Sequence, residues 1–439
     1  MDTDWIGRTF VSDVGWSHLR RLTDIGSRMA GTAGERAGLE ATRDALADAG
    51  ARDAGIEEFE IRGWERGASR VRAGDEAFEG SHQCIALPRS PPGSATGDLV
   101  DLGHGLPEDV ADADLDGAVV LVRSDVPESY ERSIHRREKY YRAVEAGAAA
   151  FLFQHDAAGA LPQTGSVGTP DAPIGEIPAL GVSYECGARL RRHHGGDAVT
   201  VEVECEVGEA TSGNVHAELG PDTDEAVLVT SHVDGHDISE GAADNAAGTA
   251  TVVEMAAALA AREADLDTRV RFVCFGAEEV GLLGSAHEAE RTDPGTVKAV
   301  LNVDSNVAAR DLLVHTNGFD GLRGAVERVA DRLGHPASVW ESLNTHSDHW
   351  SFVARGVPGA MVTADSARGD RGWGHTHADT LDKLEPRTLR EQAILLTELV
   401  VEVADADTAL EHRTEADVAD ELERENLAEG MQLTGDWPY

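Results

Sequence analysis

The chain has 439 residues, enough for two domains and a sizeable buried core, and it contains no apolar run long enough to span a bilayer. Its 80 acidic against 38 basic residues give a formal net charge of -42, spread along the whole sequence, which argues against nucleic-acid or anionic-membrane partners. Lysine stands only at Lys139, Lys298 and Lys383, and this acid-rich, lysine-poor balance points to adaptation to high salt, where screening offsets self-repulsion.

The start, Met1-Asp2-Thr3-Asp4-Trp5, lacks the basic and apolar regions of a secretory leader, so a cytoplasmic location is expected. Cys84, Cys186, Cys205 and Cys274 show no C-x-x-C spacing and suit reduced thiols, with Cys274 reading as a core residue. From Val14 to Ala49 the pattern predicts a helix, a tight turn over Gly26 to Thr32 and a second helix stopped by Gly50. Ile56 to Ile61 reads as a strand.

Between about Gly67 and Val207 the texture changes to short strand-like runs rich in glycine and proline. Gly117 to Val122 and Ala148 to Phe153 read as strands around a helix from Arg136 to Gly147, and His193-His194 reads as a solvated turn. This block, 67–207, reads as a smaller domain inserted between 1–66 and 208–410. Beyond Gly208, strands at Ala226 to Thr230, Arg269 to Phe275, Ala299 to Val303 and Gly359 to Thr363 alternate with helices at Asn245 to Arg262, Leu322 to Leu333 and Pro386 to Val403. Such alternation predicts an α/β fold, a doubly wound, mainly parallel sheet flanked by helices. Residues 411–439 form an acidic tail, for which a solvated helix is the default expectation.

The stretch Ser231 to Gly248, S-H-V-D-G-H-D-I-S-E-G-A-A-D-N-A-A-G, joins the end of one predicted strand to the start of a helix. Alone it reads equally well as a polar loop with Asp244 as helix N-cap or as a metal site built from His232, Asp234 and Asp244. Ligands of open α/β sheets bind beyond the carboxyl ends of the strands, and Glu278-Glu279, Asp304 and His375 follow three other predicted strands. Two histidines and three carboxylates suffice for a pair of metals if one carboxylate bridges, and Asp244 is the natural bridge. Glu278 is then left over as a general base, and Asp234 is placed to fix the tautomer of His232.

The segments S-H-V-D, A-D-N-A-A-G, A-E-E-V-G, N-V-D-S and H-T-H-A-D-T resemble the dizinc exopeptidase family of leucyl aminopeptidases and glutamate carboxypeptidases. G-S-R-M-A-G at Gly26 to Gly31 is similar to the family's N-terminal signature. G-A-V-V-L-V, E-A-G-A-A-A-F-L-F and I-P-A-L-G-V-S resemble the protease-associated (PA) domain that many members carry. The resemblance implies two zinc ions, with Co2+ or Mn2+ as alternatives. Asp244 bridges them, His232 and Asp304 complete one site, and Glu279 and His375 complete the other. His377 is the rival of His375, and the family's H-T-x-x-D-T spacing selects His375. Thr345-His346-Ser347-Asp348-His349 resembles the family's S-D-H loop near the substrate pocket. The implied activity is aminopeptidase action on peptides, with a carboxypeptidase or amidohydrolase, or a metal-free receptor-like binding protein, as the other readings.

Overall fold

The computed structural model describes residues 3–365 and 372–439. The chain divides into two compact units, one of Met1–Ile61, Ala210–Asp370 and Asp379–Leu422, the other of Arg62–Glu209, Arg371–Ala378 and Glu423–Tyr439. The fold is α/β with mainly parallel central strands flanked by helices, as the alternation predicts.

In the first unit the centre is four parallel strands in the order Gly359–Ala364, Val297–Val303, Ala226–His232 and Arg269–Phe275. Antiparallel neighbours flank them: Leu312–His315 beside Gly359–Ala364, and residues 215–219 beside Arg269–Phe275. Every residue of Ala226–His232 and of Val297–Val303 is buried, polar ones included, as strands in the middle of a parallel sheet are when both faces are covered. Leu228, Val273, Phe275 and Val300 form one cluster with Ala289 and Phe352 from neighbouring helices. Cys274 is buried here, and all four cysteines are free thiols.

The helix Ala247–Ala260 is buried almost all round and packs against Val14–Ile25 and Pro386–Ala404. Its small residues permit a close approach. A Cβ at Gly15 would stand 2.7 Å from the Ala250 carbonyl, and the Gly15 amide donates to the buried Glu254 carboxylate at 2.7 Å. The predicted helix pair forms as Val14–Ile25 and Ala33–Asp48, the second capped by the Thr32 hydroxyl, which accepts from the Glu35 amide. The strand predicted at Ile56 to Ile61 is part of a longer one, Arg52–Ala73.

The second unit holds parallel strands at Gly93–Asp101, Val119–Arg123, Ala150–Gln154 and Ala179–Val182, with Cys84–Ala86 antiparallel at the edge. Val120, Val122, Tyr140, Phe151 and Phe153 make its core. Two expectations are corrected. His193 and His194 end a helix, Tyr184–His194, whose basic last turn complements the helix dipole, rather than a turn. The acidic tail is two short helices, Glu415–Arg424 and Ala428–Thr434, and it is not freely solvated. Val418 and Leu422 are buried in the first unit, while Asp436 pairs with Arg137 at 3.0 Å in the second.

Candidate metal centre

His232 ends its strand, Asp304 follows Val303, and Glu278 follows Phe275 after a two-residue turn. The parallel register sets Phe275 beside His232 and Asn302 beside Thr230, so the three ends open onto one edge. There His232 Nε2 stands 3.3 Å from Asp244 Oδ1, 3.7 Å from Asp304 Oδ1 and 4.0 Å from Glu278 Oε2. His232, Asp244 and Asp304 each offer a ligand atom, all within 4.8 Å of one another.

Each of these side chains is held through backbone bonds. The Asp234 carboxylate lies 3.5 Å from His232 Nδ1 and accepts the amides of Glu278 at 3.1 Å and Glu279 at 3.2 Å. One fully buried acid therefore orients the imidazole and the paired glutamates together. Ala277 has a left-handed φ of 55°, a conformation that favours glycine, and its amide donates to Glu35 Oε1 at 2.9 Å. Glu35 also accepts from Gly31 N and Ser212 Oγ, and burial, reinforced by Asp234, pushes its carboxyl up to about 8.

Asp244 lies in the irregular turn Ala242–Ala246, with non-helical backbone angles, before the helix proper begins at Ala247. The N-cap reading of Asp244 is thereby corrected: Asn245 takes that part, its Oδ1 accepting the Gly248 amide at 3.0 Å. The same Oδ1 accepts from Ser305 N at 3.2 Å, and Asn245 Nδ2 donates to the Val303 carbonyl at 2.9 Å. Asn245 thus ties the Asp244 turn to the Asp304 turn. Gly248 permits this, since a Cβ there would come within 2.4 Å of Val303 O. Asp379 accepts the amides of Ala243 at 2.7 Å and Asp244 at 3.1 Å. Ser347 donates to Asp304 Oδ2 at 2.6 Å and accepts from Asn302 Nδ2 at 2.8 Å. Arg28, buried in the G-S-R-M-A-G turn, donates to the carbonyls of Leu22, Val233, Glu240 and Gly241 and so pins the loop that carries His236.

Burial alone would lower His232, but Glu278, Asp234, Asp244 and Asp304 outweigh it and hold the imidazole well above its usual range. Burial pushes Glu278 far up, as it does Asp348, to about 7, and Asp379, to about 6. Such a set of acids round one imidazole favours a cation between them, and the mixture of imidazole nitrogen and carboxylate oxygen suits zinc.

Glu279 Oε2 lies 2.9 Å from His236 Nε2, a neighbour to which the sequence assigned no role. His375 sits in the segment grouped with the second unit, where its Nδ1 is 3.3 Å from the Thr164 carbonyl and its own carbonyl accepts the Thr164 amide at 2.8 Å. His377, its rival, packs edge-on against the His82 ring. His349 is fully buried and burial lowers it to about 3, as befits a core imidazole. The amide of His346 donates to Asn344 Oδ1 at 3.0 Å.

Residues 214–400 match Peptidase family M28, and residues 95–190 match the PA domain. The chain is 28% identical over 323 residues to aminopeptidase YwaD of Bacillus subtilis, covering 70% of this chain and 67% of that protein. It is 24% identical over 417 residues to carboxypeptidase Q of Mus musculus, covering 90% and 86%. Among solved structures, BSAP, a zinc aminopeptidase from Bacillus subtilis, superposes with a TM-score of 0.70 at 25% identity, covering 90% of this chain and 95% of that one. With the strand-end cluster and the mainly parallel sheet, these matches relate the chain to the metallo-exopeptidases of peptidase family M28 over residues 214–400 and to the PA domain over residues 95–190.

Proposed function

We propose that the chain is a zinc-dependent aminopeptidase that removes N-terminal residues from peptides. The observation that carries the reading is the convergence of His232, Asp244 and Asp304 with the buried Glu278 at the ends of parallel strands. Two zinc ions would be held, one by His232 and Asp304 and the other by Glu279 and His375, with Asp244 serving both. The family motif H-T-x-x-D-T supports His375, and the backbone grip of Asp379 on Asp244 supports the bridge. Bound zinc lowers the pKa of a water toward about 7 and polarises the scissile carbonyl.

The remaining work falls to the chain's own residues. Glu278 takes the water proton and delivers it to the departing amine. Asp234 keeps the backbone of Glu278 fixed while it does so, and Ser347 keeps Asp304 aimed. Among the described residues no helix is long and apolar enough to cross a membrane. We assign the enzyme to the cytoplasm, to high-salt conditions and to peptide substrates, with the PA domain spanning 67–207.

A carboxypeptidase is the second reading, favoured by the similarity to carboxypeptidase Q over 90% of this chain. Peptides with free termini, N-acetylated peptides and C-amidated peptides separate the two. An aminopeptidase cleaves the first and third and spares the second. Cleavage of N-acetylated peptides that requires a free carboxylate overturns the assignment in favour of the carboxypeptidase.

A further inference from the structure

Within the first unit, a histidine and two glutamates converge on a cleft of about 500 Å3 that contains none of the residues assigned to catalysis. His216 lies on the strand Ala198–Leu219, opposite Val273. Glu57 comes from Arg52–Ala73, and Glu288 from the helix Leu283–Arg291. Each carboxylate is divided between two tasks. Glu288 Oε1 accepts from Arg271 at 2.8 Å and from Thr292 Oγ1 at 3.3 Å, and Glu57 Oε1 lies 3.0 Å from Arg291 Nε and 3.3 Å from His287 Nε2. The arginines are thus committed to the outer oxygens.

The other oxygens face His216 Nε2, Glu288 Oε2 from 3.6 Å and Glu57 Oε2 from 4.0 Å, and the three side chains offer ligand atoms within 4.8 Å of one another. Both separations are too long for hydrogen bonds. His216 Nε2 is buried and has no hydrogen-bond partner among the described residues, while Glu288 is only 4% exposed. A buried nitrogen facing two carboxylate oxygens is a costly arrangement unless something positive stands between them. Ligands about 2.0 to 2.2 Å from a tetrahedral zinc stand roughly 3.3 to 3.6 Å apart, so a small inward movement closes the set.

We propose that Glu57, His216 and Glu288 form a separate structural site for a divalent cation of the zinc class, with water as the remaining ligand. Burial also lowers His216, which keeps the imidazole in the neutral form that a metal requires. The ion fastens the helix that follows Glu278-Glu279 to two strands of the sheet. Its role is stability, and it does not depend on how the catalytic centre is assigned.

The test uses the full chain with its own metals, equilibrated at graded free zinc and analysed for bound metal. Wild type is expected to take up one equivalent of zinc more than His216→Gln or Glu57→Gln, and zinc is expected to raise Tm further in wild type than in either variant, with peptide hydrolysis alike in all three. Zinc anomalous scattering from crystals is expected to place a peak among the three side chains. Glu57 is 38% exposed on its side chain against 22% for His216, so Glu57→Gln serves if the His216 variant fails to fold. Equal zinc content and equal Tm response in wild type and variants, or an extra equivalent that survives both substitutions as an adventitious ion, overturns the proposal.

Discussion

Glu278 is a side chain whose usefulness depends on atoms belonging to other residues. Its amide and that of Glu279 end on the two oxygens of Asp234, and Ala277 before it is held in a left-handed conformation by Glu35. Replacing its carboxylate by an amide of the same shape disturbs none of these bonds. Glu278→Gln is therefore expected to retain wild-type metal content and to lose about 100-fold to 10,000-fold in kcat, measured by peptide hydrolysis alongside metal analysis. A kcat within a few-fold of wild type would remove Glu278 from the chemistry. His232, Asp244, Glu278 and Asp304 were legible in the sequence because residue type and strand-end position together mark them. Asn245, Ser347 and Asp379 were not assigned roles, since each acts by bonding to groups 43 to 136 positions away. Periodicity carries no trace of such bonds. Asp244 shows the converse failure: an acidic residue before a helix reads as a cap, but the turn is irregular there and the cap is one residue later.

Among the elements, the helix pair Val14–Ile25 and Ala33–Asp48 carries two testable loads. His18 is buried between them, 3.1 Å from Thr42 Oγ1, and burial, with the charges of Arg21 and Arg28, lowers it to about 3. The unfolded chain has the ordinary value near 6.5, so between about pH 3 and pH 6.5 it binds more protons than the folded protein. Stability from this residue rises with pH across that window, is complete above it and is lost on acidification. His18→Asn keeps a hydrogen-bonding partner for Thr42 and is expected to flatten the slope in denaturant unfolding between pH 4 and pH 7; unchanged slopes would refute this. At the end of the first helix, Arg28→Met leaves four carbonyls without their donor, each at a cost of about 1–3 kcal/mol where water cannot enter. The expected result is a lower Tm and faster loss of zinc to a chelator, because residues 233–241 lose their anchor. Retention of zinc at the wild-type rate would limit Arg28 to stability. The strand Arg269–Phe275 matched the structure residue for residue, and the other expected strands differ from those observed only at their ends, whereas the tail was misread because Val418 and Leu422 are spaced among acids that disguise their burial.

At the scale of the whole molecule, the charge of -42 is borne by a surface almost without ammonium groups. Lys139 is buried and donates to the carbonyls of Arg123 and Asp125, and Lys298 is buried against the Asp405 carbonyl, which leaves Lys383 alone near solvent. Repulsion between surface carboxylates extends about 10 Å at 0.1 M salt and shortens as salt rises. Tm is therefore expected to climb steadily from dilute buffer to molar sodium chloride, and a Tm independent of salt would overturn the halophilic assignment. The strand-end arrangement also fixes an order of events during folding. Glu278 and Asp304 follow strands that reach the His232–Asp244 segment through sheet pairing, so no short segment brings all four together. Loop-closure entropy must be met before Asp304 and Glu278 join that pair. Completion of the metal centre therefore follows assembly of the parallel strands, and a chain whose sheet has not yet formed offers zinc at most part of the ligand set.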